Sequence, residues 1–89
     1  NIVDNIFSDI QVYPNPSKNM FNIKFNILDH QDIQLRVINS LGNIVFADDI
    51  DNYVGRYSQQ VALNGYSKGI YLLQIRTDRL IVNKKLILQ

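Results

Sequence analysis

The chain of 89 residues contains no cysteine. That absence excludes a disulfide framework, a thiolate metal site and a cysteine nucleophile together. Glutamate is missing as well, which takes a favoured helix former off the surface. Long apolar runs are absent: the longest, Ile44-Val45-Phe46-Ala47 and Ile70-Tyr71-Leu72-Leu73, have four residues each, against the roughly 18 that a membrane-spanning helix needs. The N-terminus carries Asp4 and Asp9 without a basic stretch, unlike a signal peptide. It also lacks an initiator Met, so the chain is expected to be a segment of a longer protein. The one histidine, His30, falls between Asp29 and Asp32 in an expected loop, and no serine sits in a nucleophile-elbow motif. It reads as a solvated turn residue. Neither an enzyme nor a cofactor is expected.

What is present suits a small folded unit. Apolar residues make up 46% and aromatics 10%, enough for the core of one domain. A chain this short buries only about 60–65% of its unfolded surface, so the fold should be simple. The net charge of +1 hides an asymmetry. Residues 1–52 hold seven Asp against Lys18, Lys24 and Arg36, while residues 53–89 hold Arg56, Lys68, Arg76, Arg79, Lys84 and Lys85 against Asp78 alone. The basic end is a candidate docking surface for an acidic partner.

Period-two patterning dominates. Phe21, Ile23, Phe25 and Ile27 alternate with Asn22, Lys24 and Asn26, and Ile33, Leu35 and Val37 alternate with Gln34 and Arg36. Both stretches predict strands with one buried face. Ser40-Leu41-Gly42-Asn43 supplies a turn, with Gly42 free to take positive φ, and Ile44 and Phe46 resume the alternation, so residues 32–47 read as a hairpin. Val61 and Leu63 follow a polar stretch from Asp48 to Gly55. Asn64-Gly65 and Lys68-Gly69 bracket a tight connection to Tyr71, Leu73 and Ile75, and residues 80–88 form a closing strand. A short strand, Ile10 to Tyr13, ends at Pro14-Asn15-Pro16, because proline removes a ladder donor. Residues 1–9 read as a linker or an extra edge segment, and residues 10–89 as the domain. About seven short strands with no helical window predict an all-β fold, an Ig-like antiparallel β-sandwich.

Few residue groupings point to chemistry. Asp48, Asp49 and Asp51 gather hard oxygen ligands but lack EF-hand spacing and its central glycine, so a solvated acidic loop is expected. Tyr53, Tyr57 and Tyr66 lack the interleaved Lys/Arg stripe and high pI of a nucleic-acid domain. They could line a sugar platform, which makes a carbohydrate-binding or adhesive β-sandwich module the alternative reading. The last strand is unusual, with Lys84 and Lys85 placing charge on both faces of an otherwise apolar segment. Lysine on an edge strand blocks unwanted pairing, and it can equally serve as a recognition element. An unblocked edge could pair weakly with a second copy.

The order of these signals is specific. Val12-Tyr13-Pro14-Asn15-Pro16-Ser17 is followed by an alternating strand, then Asn39-Ser40-Leu41-Gly42-Asn43-Ile44-Val45, then Leu63 through Gly69-Ile70-Tyr71-Leu72-Leu73-Gln74-Ile75, and finally Lys84-Lys85-Leu86-Ile87. Over residues 10–89 this closely resembles the C-terminal sorting domain, type A, of the type IX (Por) secretion system of Bacteroidetes. The resemblance implies a secretion signal at the end of a larger cargo protein. The cargo would lie N-terminal to it, and the partners would be the outer-membrane translocon and a sortase-like surface protease. It also implies passage through the periplasm to the outer-membrane surface or the exterior, with cleavage there. Lys84, Lys85, Leu86 and Ile87 would carry recognition; Pro14, Asn15, Pro16, Gly42, Gly69 and Tyr71 would be scaffold. Many members have Gly where Lys18-Asn19 stand, Arg or Lys at Asn43, and Leu at Tyr66.

Overall fold

The apolar–polar alternation drives most of the chain into strand. A computed structural model describes residues 7–89, and among them no helix occurs. Five antiparallel strands form one sheet: β1 (Phe7–Tyr13), β2 (Met20–Ile38), β3 (Ile44–Ala62), β4 (Gly69–Arg76) and β5 (Ile81–Leu88). The expected linker falls partly outside the described residues, at 1–6; from Phe7 the chain pairs as β1.

The strand count of about seven is corrected to five. Segments 21–27 and 33–37 are two halves of the 19-residue β2, and segments 44–47 and 61–62 are the ends of the equally long β3. Between the halves of β2 only Gln31 keeps a register partner, Tyr53, whereas most of β3 between its ends stays paired, from Asp48 opposite Leu35 to Gln60 opposite Asn22. Two readings as loop are corrected with it: Asp48-Asp49-Ile50-Asp51-Asn52 lies in β3, and His30 lies in β2. His30 Nδ1 stands 3.4 Å from the Asn52 carbonyl oxygen. Low hydrophobicity marked these stretches as exposed, and exposure does not preclude a ladder.

A two-sheet Ig-like sandwich is not seen either, because one hydrogen-bonded sheet joins all five strands. β3 follows one edge of β2 from Met20↔Ala62 to Ile38↔Ile44. The other edge is shared: β1 takes the first half (Tyr13↔Asn22, Phe7↔Ile27) and β4 the second (Ile38↔Leu72, Gln34↔Arg76). Register shifts between Ile27 and Ile33, together with positive φ at Asn52 and Gly55, bend the long ribbon midway. Bulges produce such bends by inserting unpaired residues. Both halves of β2 turn the same side chains inward, so the bend wraps the sheet around one core.

That core contains Phe21, Ile23, Phe25 and Ile27 from one half of β2 and Ile33, Leu35 and Val37 from the other, joined by Leu73, Ile75 and Leu86. Each such side chain contributes about 1.5–3 kcal/mol on burial. The Tyr57 ring stacks on Phe25 at 4.6 Å, and Tyr53 meets Tyr57 edge-on. At the β2–β3 turn, Gly42 takes φ +87°, and Asn39 Oδ1 accepts from the backbone N–H of Leu41 and of Asn43.

Two predictions follow from this packing. Gln31 is 3% exposed, and its Oε1 has no hydrogen-bond partner among the described residues. An orphaned buried acceptor costs about 1–3 kcal/mol. Gln31→Leu should therefore stabilise the domain by about 1 kcal/mol, read as a higher midpoint in chemical denaturation. Burial, then the hydrogen bond to Asp48, raises the Tyr57 hydroxyl well above its ordinary range. Its stabilisation is complete below the unfolded value of about 10 and is lost as pH rises beyond it, because only the unfolded phenol ionises. Thermal scans between about pH 9 and 11 should show a falling midpoint, less steep in Tyr57→Phe.

Candidate functional site: the last strand and its clasp

β5 pairs with β4 from Gly69↔Leu88 to Arg76↔Ile81, leaving its other edge without a strand partner among the described residues. The turn after β1 covers half of that edge. Asn15 Nδ2 donates to the Lys85 carbonyl (2.8 Å), and the Ile87 N–H donates to Asn15 Oδ1 (3.0 Å). The Asn15 side chain thus presents an amide donor and acceptor where a neighbouring strand would present its backbone. Two residues on, the backbone takes over: Ser17 N–H donates to the Ile87 carbonyl (2.9 Å), and Gln89 N–H donates to the Ser17 carbonyl (2.7 Å). Buried Ser17 is fixed in turn by its hydroxyl, which donates to the Met20 carbonyl and accepts from the Met20 N–H.

Pro14 and Pro16 frame this clasp. They follow β1 directly, and the peptide bonds Tyr13–Pro14 and Asn15–Pro16 are both cis. Gly69 opens β4 at φ +143°, a conformation that favours glycine, with no atom within 4 Å of where a Cβ would stand. Its role is conformational. Tyr71 is the third residue of β4; its ring is buried and its hydroxyl donates to the Ser67 carbonyl at 2.5 Å.

The four C-terminal residues singled out in the sequence divide between two faces. Lys84 pairs with buried Leu73 on the core side, between Val82 and Leu86, yet its own side chain is exposed. Leu86 is fully buried, so it seats the strand. Lys85 and half-buried Ile87 lie on the outer face, opposite Leu72 and Ile70. Where the clasp stops, a groove of about 450 Å³ opens between the β1 edge and β5, lined by Ile10, Val12, Tyr13, Asn15, Lys84 and Lys85. Lys24 Nζ sits 5.6 Å from the centre of the Tyr13 ring. Sequence reasoning missed the clasp and also the apolar neighbours of Lys85 on the outer face, Ile38 and Leu72. The available signal was the run Ile70-Tyr71-Leu72-Leu73, which is apolar on both faces of one strand.

The other candidate sites disperse. Tyr57 is buried with its hydroxyl on Asp48 Oδ2, the Tyr53 hydroxyl donates to the Arg56 carbonyl, and Tyr66 stands near Gly69. They make no exposed aromatic row, so the sugar platform is not favoured. Asp48 and Asp49 point to opposite faces of β3. Arg36 binds Asp49 at 2.6 Å; this hydrogen bond raises the guanidinium pKa and lowers that of the carboxyl.

The clasp makes its own prediction. Asn15→Ala removes two exposed hydrogen bonds worth about 0.5–1.5 kcal/mol each and should speed hydrogen exchange at the Ile87 amide. Asn15→Asp keeps the acceptor for Ile87 but loses the donor to Lys85, so the Ile87 amide should stay more protected than in Asn15→Ala.

No curated protein matches the chain. A family model described as the secretion system C-terminal sorting domain matches residues 11–89, which takes in the proline turn, all of β2 to β5 and the clasped terminus. With nearly its whole length matched, the chain belongs to the secretion system C-terminal sorting domain family and is a sorting signal for type IX secretion.

Proposed function

We propose that this sorting signal is read in its folded state, through the clasped last strand, and that it catalyses no reaction itself. The observation that carries this reading is the seam between residues 15–17 and 85–89. It ties the two most distinctive motifs of the chain into one surface element and leaves Lys84 and Lys85 exposed beside it. In this reading Lys84 and Lys85 make charge contacts with the outer-membrane translocon, Ile87 adds an apolar contact, and Leu86 anchors the strand from within. Pro14, Asn15, Pro16, Gly42, Gly69 and Tyr71 hold that surface in place.

The cargo lies N-terminal to the domain and travels with it through the periplasm to the cell surface or beyond. We place cleavage by a sortase-like surface protease in residues 1–9 or in the linker before them rather than in the interior, because the domain itself is mostly paired strand and paired backbone resists proteolysis. The order of motifs supports the type A subclass.

The lysines give the direct test. A periplasmic passenger fused ahead of this domain, in a type IX-competent cell, should be exported. Lys84→Gln with Lys85→Gln should cut that export several-fold while stability stays within about 0.5 kcal/mol, as for other surface changes. A large fall in stability would make the pair structural, and full export at unchanged stability would remove it from recognition.

A further inference from the structure

A group of exposed apolar side chains lies together at one end of the outer face, while Leu28, Val54 and Ile81 are exposed elsewhere on the sheet. Register sets Ile44, Ile38, Leu72 and Lys85 in one cross-strand row, with Ile70 and Ile87 in the next. Of the rows before them, Arg36, Gln74 and Asn83 with Ala47 form one that is largely polar, and Asp49, Gln34 and Arg76 form the other, which ends at the exposed Ile81. Leu41 projects from the adjoining turn and is 84% exposed; Ile44 and Ile70 are each more than half exposed. Beyond Ile70 the patch runs into a hollow of about 290 Å³ between the Asn39–Leu41 turn and the Tyr66–Gly69 turn. None of these exposed side chains belongs to the core cluster. A contiguous apolar patch with a polar border marks an interaction site in a small domain.

We infer that this end of the outer face docks a partner protein, whose apolar projection seats on Ile70 and Leu72 and whose carboxylates meet Lys85. The inference rests on the sorting reading and gives it a second face and a chemistry. Charge selects the occupant. Residues 53–89 carry six Lys and Arg against Asp78, and Asp78 lies in the β4–β5 turn, at the opposite end of that hairpin from Gly69 and Leu88. A second copy of the chain would bring Lys85 to a patch without an acid, whereas an acid-rimmed apolar surface on another protein complements it. Position agrees, since Lys85 and Ile87 belong both to this patch and to the clasped strand.

The test uses the full chain fused to a periplasmic passenger in an exporting cell. Leu41→Ser, Ile70→Thr and Leu72→Thr together should lower export about tenfold or more, as loss of a central anchor does, with thermal unfolding of the purified domain unchanged. Lys85→Glu should lower export and Lys85→Arg should preserve it. If the triple variant is unstable, Leu41→Ser alone decides, because this turn-tip side chain has little to do with folding; several-fold lower export supports the docking face and full export overturns it. Full export of a stable triple variant overturns the docking face and leaves the sorting reading standing. Export that persists after removal of residues 10–89 overturns both. Sedimentation of the domain should give a monomer; a dimer dissolved by Ile70→Thr would reassign the patch to self-association.

Discussion

β2 carries its apolar side chains on one face through both halves, from Phe21 to Ile27 and from Ile33 to Val37, and the whole molecule is arranged to cover that face. A flat sheet would leave it wet. A separate second sheet would need more strands than the chain supplies. The ribbon of β2 and β3 instead bends at its middle, where Asn52 and Gly55 take positive φ, and the two halves close on each other. β1 and β4 then extend opposite ends of the same β2 edge, and β5 completes the second half. The bend has a local cost, visible in the unpartnered Gln31 Oε1 beneath it.

This wrapping creates the problem that the clasp solves. A sheet of five strands that does not close into a barrel has free edges, and a free edge invites pairing with other chains. Two devices guard the β5 edge, each on its own stretch. Asn15 and Ser17 occupy the hydrogen-bonding positions from Lys85 to Gln89. Upstream, Lys84 carries charge on the core-facing side of the strand, where an apolar residue would have extended the core surface outward. Protection and display coincide: the charge that blocks indiscriminate pairing is also the charge that a specific partner can grip.

Much of this was legible in the sequence. Alternation assigned the inward residues of β2 and β4 correctly, and the turn at Ser40–Asn43 and the stop at Pro14 were placed by their residue chemistry. The strand count failed because polar residues at 28–32 and 48–55 were read as loops. Yet Ile27 and Ile33 are an even number of residues apart, which already puts them on the same face of one unbroken strand. The clasp was not legible: Asn15 is suited to a turn on local grounds, and its pairing with a strand 70 residues away depends on how the ribbon bends. The apolar outer face lay in between. Ile70 and Leu72 break the alternation in plain view, but their neighbours Ile38 and Ile44 are identified only by register.

The clasp joins the beginning of the domain to its end. Asn15 and Ser17 emerge early in synthesis and Ile87 and Gln89 emerge last, so their seam requires both ends of the domain to be present and brought together. A receptor that grips this seam therefore inspects as well as recognises. Such a receptor would pass over a chain truncated before Gln89, which lacks half of the seam.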